Sequence, residues 1–235
     1  QHGWIDPGRV ANLPEANGPV EYEKVFFSKM PLLAEAARNF SKNMHGDARA
    51  RFERFCSENK DWLDDFVLFD ALRAHHKLSN WNEWPHDLAF REPAAIARVR
   101  QQMAEELVWR SALQFAFAEQ WRALRQHCAR RSVRVVGDIA IFVNYDSADV
   151  WTHPEFFRLD RDRNPEVVSG VPPDFFSETG QRWGNPLYRW DVMKQQGYAW
   201  WVARLRAVTQ HCDYIRLDHF RGFEQFWEID ASEPT

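Results

Sequence analysis

The chain has 235 residues, with 30 Lys plus Arg against 34 Asp plus Glu for a formal charge of −4, 45% hydrophobic residues and 27% charged ones. That composition excludes a disordered chain, and the near-neutral balance lacks the concentrated positive field of a backbone-driven nucleic-acid binder. The most apolar run, Val133 to Val143, is broken by Arg134 and Asp138 and falls far short of a bilayer span, so neither a nucleic-acid nor a membrane partner is expected.

In chain order, the first 30 residues read as irregular, punctuated by Pro7-Gly8 and Gly18-Pro19. A helix is predicted from Pro31, where Leu32, Leu33, Ala36, Ala37 and Phe40 share one face and Pro31 suits the first turn. Phe52 and Phe55 mark a second amphipathic stretch. Trp62, Phe66, Phe69 and Leu72 mark a third, from Asp61 to about Lys77. The tryptophan-rich segment Trp81 to Pro85 reads as a turn, because Pro85 forbids an uninterrupted helix. From about Pro93 to Arg130, apolar residues from Ile96 and Val99 to Trp121 and Leu124 recur at helical steps. That length predicts a break, placed near Trp109 to Leu113.

At Ser132 the pattern changes. Val133 to Val143 is rich in β-branched residues and reads as a buried parallel strand. Residues 144–190 show no clear periodicity, 191–210 read as a helix, and Tyr214 to Asp218 as a short strand. The order strand, long loop, helix, strand is a parallel β/α layout. A loop of about 45 residues is abnormally long, and such loops are commonly lids or binding loops. In β/α folds the working residues sit at the carboxyl ends of strands, where this loop leaves the sheet.

Three constellations carry possible chemistry. In Arg216-Leu-Asp218-His219-Phe-Arg221-Gly222, alternation puts Arg216 and Asp218 on one strand face. An Arg there can hold the carboxylate by charge-assisted hydrogen bonds and keep it ionised. It suits a nucleophile as well as a structural ion pair. Asp138, in an otherwise apolar strand, is costly unless it is paired or at an exposed end. Finally, the loop from Gly170 to Tyr188 mixes aromatic residues with carboxamides and carboxylates. Flat rings can cover the apolar faces of sugars while polar groups hold the hydroxyl rim, although core packing would use aromatics equally well.

Other chemistries find no support. Asp146, Ser147 and Asp149 do not match a calcium loop, and no His or Cys cluster suits a transition metal. No phosphate-binding glycine motif and no Gly-x-Ser-x-Gly elbow occurs. Neither a metal nor a cofactor is therefore expected. Cys56, Cys128 and Cys212 have unrelated spacings and read as small apolar residues. With no leader at the start, this thiol usage leads us to expect a cytoplasmic origin, and the abrupt start at Gln1 hints at a piece of something longer.

Several motifs in one order carry a resemblance over most of the chain: Tyr22-Glu-Lys-Val, Trp62-Leu-Asp-Asp-Phe, Gly137-Asp-Ile-Ala-Ile-Phe-Val, Asp146-Ser-Ala-Asp-Val-Trp151, Gly170-Val-Pro-Pro-Asp174, Gly180-Gln-Arg-Trp-Gly-Asn-Pro-Leu-Tyr188 and Arg216 to Gly222. The sequence resembles the 4-alpha-glucanotransferases of the amylomaltase (disproportionating enzyme) family, in the alpha-amylase-like superfamily. The resemblance implies part of a (β/α)8 TIM barrel, an α/β fold with strands 3 and 4 present and the flanking strands outside the chain. Residues 1–130 would be a mainly helical insertion packed on the barrel, and 131–235 the barrel segment.

It further implies that Asp218 is the covalent nucleophile, that Arg216 supports it, and that His219 binds the donor sugar. Phe175 and Phe176 would stack on the acceptor-side glucan, Asp174, Gln181 and Trp183 would line the cleft, and Asp138 would support the substrate cleft. Phe175 stands where the family usually has Tyr, Ala140 where it usually has Pro, and Asn144 near where it usually has Ala. The general acid/base Glu would follow the nucleophile by about 45–50 residues, completing the carboxyl pair of a retaining mechanism. Thr235 lies only 17 residues after Asp218 (235 − 218), so these residues alone are expected to be inactive. The partners implied are maltooligosaccharides or glucans derived from starch or glycogen, with the oligomeric state open. An alpha-1,4-glucan hydrolase, or a non-catalytic glucan-binding or structural unit, remain alternatives.

Overall fold

The computed structural model describes residues 4–11, 13, 18–175 and 177–234. The chain forms an α/β fold in two compact units, Gln1–Leu72 with Ile96–Gln120, and Arg73–Ala95 with Trp121–Thr235. In chain order the first helices are α1 (Pro7–Ala11), α2 (Tyr22–Asn43), α3 (Gly46–Glu58), α4 (Lys60–His75), α5 (His86–Ala89), α6 (Pro93–Gln102) and α7 (Ala104–Ala129). None of the described helices is long and apolar enough to cross a membrane.

The first unit is helical, and its core is aromatic. Phe40 of α2, Phe52 and Phe55 of α3 and Phe115 of α7 are buried together with Leu63, Val67 and Trp109. Phe115 is the hub, stacked on Phe40 at 5.9 Å and edge-on to Phe52 at 5.7 Å. Arg110, only 8% exposed at its side chain, is balanced by Asp70 and Glu106 and lies over the Trp109 ring. A charge so nearly buried persists only when it is paired in this way.

Two helix boundaries differ from the sequence expectation. α2 begins at Tyr22, nine residues (31 − 22) before Pro31, so Pro31 lies inside the helix. The Val25 N–H to Glu21 carbonyl bond closes the first turn, and the helix absorbs the loss of one ladder bond at Pro31, a cost of about 3 kcal/mol. Tyr22 and Phe27 are exposed, so the inward face that usually reveals a helix is missing there. The break in the long helical stretch falls at Met103 rather than near Trp109 to Leu113. Trp109, Ala112 and Phe115 are core residues, and breaking the helix there would expose them. At Met103 the interruption is slight, because the Met103 N–H still reaches the Val99 carbonyl and the Leu107 N–H the Met103 carbonyl, both at 2.9 Å.

The five strands among the described residues lie in the second unit: β1 (Val136–Ala140), β2 (Val167–Val171), β3 (Gln181–Pro186), β4 (Tyr214–Asp218) and β5 (Trp227–Asp230). Three more helices accompany them, α8 (Ala148–Thr152), α9 (Trp190–Gln195) and α10 (Ala199–Thr209). β1 and β4 form a parallel pair in the register Val136↔Tyr214 to Ala140↔Asp218. The other strands form an antiparallel sheet in the order β3-β2-β5. The expected strand over 133–143 is therefore shorter, and the expected helix over 191–210 is two. Gly197, at φ 62°, and Tyr198, at φ 57°, adopt left-handed backbone between α9 and α10 and end the first of them.

The expected loop over 144–190 is in fact ordered by α8 and by the β2–β3 hairpin. Ser147 caps α8, its hydroxyl accepting from the Val150 N–H. β2 is buried on both faces, so it lacks the alternation that marks a half-exposed strand, and β3, Gln-Arg-Trp-Gly-Asn-Pro, has no β-branched residue. One side chain ties β3 to the segment that follows β1: Asn185 Nδ2 donates to the Val143 carbonyl at 3.0 Å, while its Oδ1 accepts from Ser169 Oγ of the neighbouring β2. Gly180 closes the hairpin at φ +73°, where a Cβ would stand 2.4 Å from the Val171 carbonyl oxygen. No other residue fits there.

Candidate active site

The parallel register puts Asp138 directly opposite Arg216, and alternation puts Asp218 on the same face of β4. The Arg216 guanidinium bridges both: Nη1 donates to Asp138 Oδ2 at 3.0 Å and Nη2 to Asp218 Oδ1. All three side chains are more than half exposed, where an ion pair is worth about 0–1 kcal/mol to stability. The fork therefore matters for aim rather than for holding the fold together, because a planar guanidinium fixes the plane of a carboxylate that it binds. Ala140 lies opposite Asp218, and its methyl group leaves that flank open. A carboxylate so placed, at the carboxyl end of a parallel strand, is suited to attack an electron-poor carbon.

His219 follows at once, with left-handed backbone at φ 50°. This turn leads into a short 3-10 segment, Phe220–Phe223, whose Gly222 N–H bonds the His219 carbonyl at 2.8 Å. A non-glycine residue held there costs free energy, and such positions cluster at functional sites. The imidazole stands edge-on to the Trp183 indole, with centroids 5.0 Å apart. Gln181 Oε1 accepts from Trp183 Nε1 at 2.9 Å and fixes the ring's rotation. Phe142, just past β1, lies 6.4 Å from His219, 6.5 Å from Trp183 and 6.0 Å from Tyr188. Together these groups form an aromatic wall drawn from β3 and from the ends of β1 and β4.

Of the residues singled out in the sequence, Asp138, Arg216 and Asp218 are thus directly bonded, and His219, Trp183 and Gln181 form a second connected set. Asp174 and Phe175 lie in the turn between β2 and β3. Asp174 Oδ1 accepts from the Ser177 N–H at 2.9 Å, so this oxygen shapes the turn, while Phe175 is 97% exposed. Phe176 lies outside the described residues. Sequence reasoning did not single out Phe142; its position, one step past an apolar strand in Ile-Ala-Ile-Phe, was the available signal.

The cysteines stand apart from this site. Cys56 lies in α3, where burial, helped by Asp64 and Glu53, pushes its thiol up to about 11, so it is not a nucleophile at neutral pH. Cys212 is buried between α10 and β4, its Sγ directed at the Val208 carbonyl. Among the described residues no three His, Cys, Asp or Glu side chains are grouped to hold a metal ion.

Residues 8–235 match the family model described as 4-alpha-glucanotransferase. The chain is 45% identical to a 4-alpha-glucanotransferase of Thermus thermophilus, over all of this chain and 46% of that protein. It is 37% identical to the chloroplastic/amyloplastic 4-alpha-glucanotransferase of Solanum tuberosum, over 97% of this chain and 41% of that one. In structure it superposes on an amylomaltase from Streptococcus agalactiae, solved in complex with acarbose. That match has a TM-score of 0.92 and 36% identity, and covers 98% of this chain and 47% of that one. The chain thus spans about half the length of the curated relatives it matches.

Proposed function

Because this chain belongs to the 4-alpha-glucanotransferase family, we propose that the whole protein transfers alpha-1,4-glucan segments between maltooligosaccharides, and that this segment supplies the nucleophile. The observation that carries the reading is the Arg216 fork, which aims Asp218 at the carboxyl end of β4 beside the wall of Phe142, His219 and Trp183. β1 and β4 read as the third and fourth strands of a (β/α)8 barrel. The helical part up to about residue 130 reads as an insertion into that barrel.

The chemistry proposed is a double displacement. The Asp218 carboxylate attacks the anomeric carbon, the glycosidic C–O bond breaks, and the departing oxygen takes a proton from a Glu that the family resemblance places beyond residue 235. The 4-hydroxyl of an acceptor glucan then attacks the same carbon, its proton returns to the Glu, and Asp218 leaves. Two inversions retain the alpha configuration, which needs the two carboxyls ~5–5.5 Å apart. His219 would hold the donor sugar, with Asp138 keeping Arg216 in place. Trp183, Gln181, Asp174, Phe175 and Phe176 would line the acceptor side and keep water out.

Incubating the full-length protein with maltotriose tests this. Transfer gives glucose and longer oligomers at a constant total of reducing ends, and 235 residues without the Glu should give neither. A steady rise in reducing ends would show hydrolysis instead.

A further inference from the structure

A strand that ends leaves its last carbonyls without ladder partners, and buried ones must be satisfied by something else. β1 ends at Ala140, the register partner of Asp218. The Ala140 carbonyl accepts from Arg204 Nη2 at 2.8 Å, and the Ile141 carbonyl accepts from the Tyr188 hydroxyl at 2.7 Å and from Arg204 Nη1 at 3.2 Å. One guanidinium and one phenol thus grip two successive carbonyls. The guanidinium is itself held, 4.8 Å over the Trp201 ring and 5.5 Å over that of Trp200, and it attracts the Asp149 carboxylate electrostatically. Tyr188 is 2% exposed, and its ring stacks on Phe142.

The residue after the gripped carbonyls is Phe142, whose ring packs on both His219 and Trp183. We propose that Arg204 and Tyr188, which lie behind the site on α10 and in the segment after β3, are positioning residues for the glucan-transfer reaction. Their grip on Ala140 and Ile141 fixes the backbone that sets Phe142, and through Phe142 the places of His219 and Trp183, and it fixes the strand end that faces Asp218. A lysine at 204 would keep the charge and the contact with the indoles but present one point of donation where two carbonyls need a planar fork.

This inference rests on the glucan-transfer reading, and the test separates the two. In the full-length protein, Arg204→Lys and Tyr188→Phe are compared with wild type on maltotriose, with active sites counted by mass spectrometry after trapping with a fluorosugar glycosyl fluoride. Misplacing reacting groups by a fraction of an ångström lowers turnover steeply, so kcat per labelled site should fall about ten- to a hundredfold in each variant while KM stays within about twofold. Melting temperatures near wild type are expected alongside. If wild type transfers glucan and either folded variant keeps wild-type kcat per labelled site, the positioning role is overturned, whatever its melting temperature. Should Arg204→Lys fail to fold, Tyr188→Phe, which removes one oxygen atom, decides alone. If wild type itself shows no transfer, the failure belongs to the functional reading and not to this grip.

Discussion

At the scale of single residues, what shapes this site is close approach more than charge. A Cβ added at Gly222 would stand 2.8 Å from Ile141 Cδ1 and 2.9 Å from His219 Cδ2. The isoleucine methyl can rotate away. The imidazole cannot, because Trp183 and Phe142 flank it. Gly222→Ala should therefore push His219 out of place and lower kcat/KM of the full-length protein on maltotriose about tenfold, equivalent to about 1.4 kcal/mol of transition-state stabilisation. An unchanged kcat/KM would mean that the ring's position does not matter to the reaction. That Arg216 and Asp218 share one face was legible in the sequence, because alternation alone puts them there. The pairing of Asp138 with Arg216 was not, because register between strands 78 residues apart (216 − 138) has no local signature.

At the scale of elements, the start of the parallel pair hangs on one carboxylate. Asp213, just before β4, accepts from the Val135 N–H at 2.8 Å and from Arg125 Nη2 of α7 at 2.9 Å. The Val135 hydrogen bond first, and then Arg125 and Arg134, hold its carboxyl below the usual value of 3.8. A group whose folded pKa is depressed adds stability above its unfolded pKa, and that stability is lost as pH falls through the folded value. Asp213→Asn should thus melt below wild type at neutral pH, with the gap closing as the pH drops below 3.8. A gap that persisted at acid pH would point to lost packing instead of lost charge. Helices with an inward apolar face, such as α3 and α4, could be read from spacing. β2 and β3 could not, because the first is buried on both faces and the second is polar, so both looked like loop. Pro31 misled for the opposite reason: a strong local signal was overridden by the helix around it.

For the whole molecule, the sequence motifs and the superposition agree on family and on an α/β architecture. Composition alone would not have reached that far. It excluded a disordered chain, and the aromatic content fitted sugar stacking as well as it fitted the phenylalanine core of the first unit. What distinguished the two uses was order along the chain: the core phenylalanines recur at helical steps, whereas Trp183 lies within the polar strand β3 and His219 just past the end of β4. In the proposed reaction Asp218 forms the covalent bond to the sugar. Digesting the full-length protein after trapping with a fluorosugar glycosyl fluoride, and sequencing the labelled peptide by mass spectrometry, tests it. A glycosyl ester on Asp218, absent from Asp218→Asn, is expected; an ester on Asp138 or any other carboxylate, or label retained in that variant, would overturn the assignment of Asp218 as nucleophile.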